Sequence, residues 1–271
     1  MYTRFTSGLK GRNTLQSDTP LTDEQIMQVA PSVFAEGAWQ EVSDKYTFIP
    51  THVTLNEMRK NGFEPFFVAE TKARIAGKQG FTKHMLRYRH INDINSQGEV
   101  KEIIHVNSHD RTSQDVLMAG FFRSVCANGC FAGTLLQDIK VRHYGNTSDR
   151  IIEGAYEIIE NFGQVEGAMD LMKSKALNKP SQLAFAQAAL VLKYPDKEEL
   201  PVEPATALSL RRLEDEGDSV YLVYQRLQEN LIKGGIPGSN GRMTRGVKGI
   251  NEMTKLNKAL FDLAHNIAKS L

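Results

Sequence analysis

The chain is short of cysteine, of tryptophan and of net charge. Of its 271 residues two are cysteine and one is tryptophan, and 33 basic against 32 acidic side chains leave a formal charge of +1. Cys126 and Cys130 make no secreted disulfide framework, and a reducing cytoplasm is the expected location. A near-neutral chain is not a globally basic one, so any nucleic-acid contact must come from a local patch with acidic surface elsewhere. No apolar run approaches the length of a membrane span, and MYTRFTSGLKGRNTL at the start lacks the apolar core of a signal peptide. No membrane partner is expected. GxGxxG, Walker A and HExxH patterns are missing too, and GSNG at 238–241 lacks the Lys-Ser/Thr that would make it a phosphate loop.

What the chain has is a core: 41% apolar residues suffice for one large domain or two small ones. Residues 1–20, rich in Gly, Ser, Thr and Asn, read as a flexible arm. In LTDEQIMQV, Thr22 and Gln25 form a capping box with Leu21 and Ile26 as a staple, which predicts a helix from Thr22 to before Pro31. VTLNEMRKNG repeats the grammar, with Thr54 and Glu57 as cap and Gly62 as stop. KYTFI at 45–49 is a strand candidate ended by Pro50. The period then becomes extended through FFVAETKARI, FTKHMLRYRHI and VKEIIHVNS, separated by turn formers, which predicts three antiparallel hairpin strands. The middle strand carries Phe81, Lys83, Met85, Arg87 and Arg89 on one face and Thr82, His84, Leu86, Tyr88 and His90 on the other. Neither face is cleanly apolar, so one set is expected to reach solvent or a ligand.

Apolar residues at 116, 117, 121, 122 and 125 in DVLMAGFFRSVC predict a helix facing the sheet, stopped at Asn128-Gly129. DIKVRHY at 138–144 reads as a further strand. Helices are expected over 147–176, 180–193, 204–213, 218–233 and 249–270, broken at Pro180, Pro195, Pro201 and GGIPGSNG. The fold class is α+β: an antiparallel sheet of three to five strands packed with helices, and a helical C-terminal half. Without a clear linker, residues 21–271 read as one domain, sheet-rich over 45–145 and helical over 147–271.

Candidate contacts cluster. Between residues 70 and 90 stand Lys72, Arg74, Lys78, Lys83, Arg87 and Arg89, against Glu70 alone, with Phe81, His84, Tyr88 and His90 interleaved. Lys and Arg neutralise phosphates, and aromatic rings stack on bases for roughly 1–3 kcal/mol each. The other reading is the solvated face of a half-exposed sheet. GRMTRGVKG adds Arg242, Arg245 and Lys248, which could grip phosphate or be a solvated linker. Residues 196–218 hold eight acids against three bases, a run expected to face away from a polyanion.

Catalytic readings are weaker. Ser108, His109 and Asp110 spell a triad, but neighbours in an extended segment point to opposite faces. Cys126 as a nucleophile with His105 or His109 as base matches no local signature, and a buried cysteine competes with it. Cys126 and Cys130 with His105 or His143 lack the two clear ligand pairs of a zinc site. Asp110, Asp115 and Glu102 are scattered single carboxylates, more typical of surface or cap than of a divalent-ion site. No catalytic residue, metal or cofactor is assigned.

HMLRYRH, NSHDRTS, FRSVCANG, YQRLQENLIKGG and VKGINEMTKLNKALFDLA, in that order along most of the chain, resemble the YafZ/YfjQ-like family of prophage and conjugative-plasmid proteins, a domain of unknown function. The family pattern has a small residue after its His-Asp pair, where this chain has Arg111. The resemblance implies a mobile-element setting and no established chemistry. The functional expectation is a non-catalytic nucleic-acid-binding protein, with single-stranded DNA as partner and annealing or protection as its role. Its contact residues are Lys83, Arg87, Arg89 and Arg123 on phosphates and Tyr88 or His84 on bases, with Arg242, Arg245 and Lys248 beside them. Three hairpin strands and a helix also resemble, in element order only, the core of single-strand annealing proteins, for which a homo-oligomer on DNA would follow. The alternatives are an anti-defence or host-protein interaction protein and a Cys- or metal-dependent hydrolase.

Overall fold

The computed structural model describes residues 12–39, 48–94, 98–123, 128–141 and 147–271. Residues 45–47 of the KYTFI candidate, Cys126 and His143 lie outside them. Two compact units result: one from the residues up to Phe122 together with Gln137–Phe162, the other from Arg123–Leu136 together with Gly163–Leu271.

In the first unit six strands form an antiparallel-paired sheet. The three predicted hairpin strands are β2 (Phe63–Thr71), β3 (His84–His90) and β4 (Glu99–Asn107); β1 (Arg12–Gln16) and β5 (Asp115–Arg123) extend them in the order β1-β2-β3-β4-β5, and β7 (Ile139–Val141) pairs with β5. The sheet exceeds the three to five strands expected, because two stretches read otherwise belong to it. Residues 12–16, inside the presumed arm, pair with β2 from Arg12 opposite Thr71 to Gln16 opposite Phe67. Residues 115–123, expected as a helix, form β5. Their apolar run is nearly unbroken and is buried along almost its whole length, which suits a strand covered on both faces as well as it suits a helix, and periodicity cannot separate the two. With β5 a strand, the element order shared with annealing proteins does not hold.

Pro65 sits inside β2, where a proline normally ends a ladder. The register slips between Pro65 and Phe67, from Pro65 opposite Tyr88 to Phe67 opposite Arg87, so the missing N–H falls at a bulge. Helix α1 (Asp23–Val29) carries the predicted box: Thr22 Oγ1 accepts from the Gln25 amide at 3.3 Å and Gln25 Oε1 from the Thr22 amide at 2.9 Å. Helix α2 (Thr51–Lys60) starts earlier than its expected Thr54 cap, directly after Pro50, which has φ of −65°. Proline presets the helical φ at that boundary, and Thr54 is left buried on the helix. Helix α3 (Thr147–Asn161) completes the unit. The long helix expected over 147–176 is two, broken at Phe162.

The second unit holds the short strand β6 (Asn128–Phe131) and helices α4 (Gly163–Ser174), α5 (Lys179–Lys193), α6 (Pro204–Ala207), α7 (Val220–Lys233) and α8 (Ile250–Ser270). α7 is its centre, buried from Val220 to Ile232 except at Leu222, and packs against α4, α5 and α8. Beyond α7 the glycine-rich stretch is a closed hairpin. Gly235 N–H donates to Thr244 O at 2.8 Å and Thr244 N–H to Ile236 O at 2.9 Å. Gly234, at φ of +66°, lies so close to the backbone of Arg245 and Gly246 that a Cβ would stand 2.4 Å from the Gly246 nitrogen. No helix among the described residues is long and apolar enough to cross a membrane.

Candidate nucleic-acid interface and the buried polar network

Strand β3 places the predicted contacts inside the protein. Lys83, His84, Arg87, Tyr88 and Arg89 are all buried, which corrects the solvent half of the expectation that one face of HMLRYRH reaches solvent or a ligand. The reason is pairing. Glu102 on β4 receives Arg87 Nε at 2.5 Å, the Arg87 terminal nitrogen, and Arg89 Nε at 2.9 Å. The guanidinium of Arg89 lies 3.9 Å from the centroid of Phe122 and 4.4 Å from that of Phe66, and Arg87 lies 5.2 Å from that of Phe67. Two cations on one carboxylate leave a surplus positive charge, which the aromatic faces solvate.

The other face of β3 enters a network centred on Thr51. Its hydroxyl lies 2.9 Å from His84 Nε2 and 3.2 Å from His109 Nε2, and accepts from Asn107 Nδ2 at 3.1 Å. His84 Nδ1 faces the Thr82 carbonyl at 3.2 Å and Ser32 Oγ at 2.9 Å. A carbonyl only accepts, so Nδ1 carries the His84 proton and Nε2 accepts the single hydroxyl proton of Thr51; His109 Nε2 then donates. Burial, with His109 and His105 nearby, holds His84 well below the usual histidine range. Alongside, Glu70 accepts from the Ser32 amide at 3.1 Å, Thr82 Oγ1 at 3.2 Å and Gln79 Nε2 at 3.1 Å, and burial raises its pKa. His105 Nε2 lies 2.7 Å from Asp115 Oδ1 and its ring stacks on Tyr88 at 6.3 Å. Burial raises the Tyr88 hydroxyl far above its ordinary value, so it remains a neutral phenol.

The catalytic spellings do not assemble. Ser108 Oγ bonds to the Ser113 backbone, His109 to Thr51, and Asp110 to Thr112 and Lys78. Burial pushes Asp110 up, but its bonds to Thr112 and Lys78 outweigh that and lower it. Cys130 is buried, its thiol 3.9 Å from Gln225 Oε1. Among the described residues no group of three or more His, Cys, Asp or Glu could hold a metal ion. Arg123, the last residue of β5 and the first of the second unit, pairs with Asp215 within that unit.

Exposed basic residues lie elsewhere. The loop from β2 to β3 carries Lys72, Arg74 and Ile75 on the surface. Beside it Trp39 and Phe81, both half-buried, meet edge to face at 5.5 Å, and the indole lies over Gly77, 3.7 Å from where a Cβ would stand. The loop is held from two sides. Lys78 Nζ reaches Asp110 at 3.2 Å, while the Trp39 amide donates to His109 O and the His109 amide to Phe81 O, each at 3.0 Å. Lys83 is drawn inward to donate to Thr112 O at 2.7 Å. Arg111, in the turn after Asp110, has φ of +65°, and among the described residues no other non-glycine residue is left-handed. Glycine, the usual residue at that position in the family pattern, would fit without strain. In the second unit Arg242, Arg245 and Lys248 are exposed on the closed hairpin and the segment after it.

Fold and network define an α+β protein whose basic strand is engaged internally. A family model described as "Domain of unknown function (DUF932)" matches residues 38–261, and the chain belongs to that family. Two relatives from Escherichia coli (strain K12), UPF0380 protein YafZ and UPF0380 protein YfjQ, are each 41% identical to it over 273 residues, across 99% of this chain and 99% of theirs. The resemblance read from the sequence motifs is thereby shown. No solved structure matches the chain.

Proposed function

We propose that the protein binds single-stranded nucleic acid, DNA in the first place, without catalysing a reaction on it, and that the contact lies on the β2–β3 loop. The observation that carries this reading is the loop itself, where exposed Lys72 and Arg74 adjoin the half-buried Trp39–Phe81 pair. Cations track the phosphates and an accessible ring face takes a base, and neither demands a sequence. Arg242, Arg245 and Lys248 supply a second cationic segment. Lys83, His84, Arg87, Tyr88, Arg89 and Arg123 act in this reading as the framework behind the contact surface, because a buried, ion-paired arginine would first have to abandon its carboxylate. The phage and plasmid setting implied by the resemblance offers single strands to protect; the argument for annealing loses its ground with β5.

Trp39 is the chain's one tryptophan, so its fluorescence reports on this surface alone. Titration with a thymidine oligonucleotide at low salt is expected to quench it. Lys72→Ala/Arg74→Ala is expected to weaken binding about tenfold and to flatten the salt dependence by about 1.4 in log–log slope, roughly 0.7 per phosphate contact. Absence of any binding at low salt would sink the reading and leave a protein partner for the same loop, on which Ile75 is 59% exposed.

A further inference from the structure

We propose that a cavity in the second unit binds a small aliphatic zwitterion, of the chemistry of a free α-amino acid such as leucine. This is independent of the nucleic-acid reading. The cavity has a volume of about 430 Å³, within the roughly 300–1,000 Å³ of small-molecule sites. Its apolar lining is Leu183 of α5, Ala205 of α6, and Leu208 and Leu210 in the segment after α6. Leu183 and Leu210 are exposed, so water here covers apolar surface that an aliphatic side chain would dry.

The polar lining, taken bond by bond, leaves one cationic edge and one carboxylate over. Lys179 and Asp218 pair at 3.6 Å, and Asp218 also accepts from Gln182 Nε2 at 2.6 Å. Arg226, 7% exposed, donates from Nη1 to the carbonyls of Asp215 and Gly217 at 2.8 and 2.9 Å. What remains of its guanidinium is the Nε–Nη2 edge, which can hold both oxygens of a carboxylate side-on. Nη2 meets Gln182 Oε1 at 3.3 Å, and the buried Nε has no hydrogen-bond partner. Among the described residues no carboxylate is in ion-pair contact with this arginine. Burial lowers its pKa, and Asp218, Asp215 and Glu216, acting from farther off, offset only part of that. A buried guanidinium calls for a bonded anion, as Arg87 has in Glu102. Arg226 and Gln182 both line the cavity, so a ligand carboxylate that takes the place of Gln182 Oε1 gains that edge. Glu216 also lines the cavity, is exposed, and makes no ion pair among the described residues; it is left for an ammonium group. A ligand with one charge of each sign answers both, whereas a plain anion or cation answers only one.

Ligand-observed NMR titration of the full chain with L-leucine tests this. Saturable binding is expected below about 10 mM. 4-Methylpentanoate keeps the carboxylate and the side chain without the ammonium group, and 3-methylbutylamine keeps the ammonium group without the carboxylate; each is expected to bind about tenfold or more weaker. Glu216→Gln is expected to weaken leucine to the level of 4-methylpentanoate, while leaving 4-methylpentanoate binding and the melting temperature unchanged. Ala205→Phe, at an exposed position of the lining, fills the apolar part and is expected to weaken leucine at least about tenfold. No binding of leucine up to about 10 mM, or undiminished binding in Ala205→Phe, would overturn the site. 3-Methylbutylamine as tight as leucine would overturn the role of the Arg226 edge. 4-Methylpentanoate as tight as leucine, or an equal loss of both ligands in Glu216→Gln, would overturn the zwitterion.

Discussion

Two basic segments lie a few residues apart in the first unit and have opposite fates. The β2–β3 loop carries Lys72 and Arg74 into solvent, while β3 carries Arg87 and Arg89 into the interior. Composition does not separate them. What does is a partner at the right register: β3 lies against β4 with Arg87 opposite Ile104 and Tyr88 opposite Ile103, and the same register sets Glu102 opposite Arg89 and diagonal to Arg87. A cation enters a core only where a carboxylate waits for it. Lys72 and Arg74 have no facing strand and remain in water, whereas Lys78 of the same loop meets Asp110 and is drawn in.

The largest expected effect breaks the buried half of this comparison. Glu102→Ala leaves two arginines buried side by side without the carboxylate that both bond to, Asp18 being the other acid that acts on Arg89, and denaturant melts should show a loss of about 3–5 kcal/mol; a loss under about 1 kcal/mol would mean that Asp18 and water suffice for the guanidinium groups. Acid gives the next effect, on the opposite face of β3. His84 is held well below its ordinary value near 6.5, first by burial and then by His109 and His105. The unfolded chain therefore takes up a proton that the folded chain refuses. Stability is full above about pH 6.5 and falls as pH drops below it, by up to about 1.4 kcal/mol per pH unit for one such group. His265, lowered by burial and by Lys269, adds in the same direction. Melts at neutral and mildly acid pH should show this slope, and His84→Gln should reduce it; an unchanged slope would remove His84 from the account.

Smaller effects sharpen the exposed half. Arg111→Gly relieves a left-handed backbone that costs an ordinary residue about 1–2 kcal/mol, and after the entropy of the added glycine a gain of about 0.5–1 kcal/mol is expected. A loss instead would show that the arginine side chain holds the turn. The smallest effect is that of Lys72→Ala/Arg74→Ala, expected within about 0.5 kcal/mol of wild type in a melt although it weakens oligonucleotide binding. Arg87→Ala/Arg89→Ala should do the reverse, exposing the cost of a lone buried Glu102. Equal melting of the two double variants would erase the distinction between framework and contact surface.

Much of the framework was legible locally. The capping box at Thr22 and Gln25, the three hairpin strands and the breaks at Pro180 and Pro195 follow from signals a few residues wide. β5 was not, because an apolar run buried on both faces has no period to read. The Thr51 network was not either: its hydroxyl meets His84 and His109 across 33 and 58 residues. The Arg89–Glu102 pair stands between these cases, since a hairpin register fixed at its turn would have set the two opposite each other.

The sequence alone determined where strands turn, where helices are capped, how the charges are distributed along the chain and which family it belongs to, since each is written in short-range chemistry or in ordered motifs. Only the tertiary structure decided which cations are buried and which face water. The side chain is the same in both places, and its fate depends on whether folding brings a carboxylate from elsewhere in the chain to meet it.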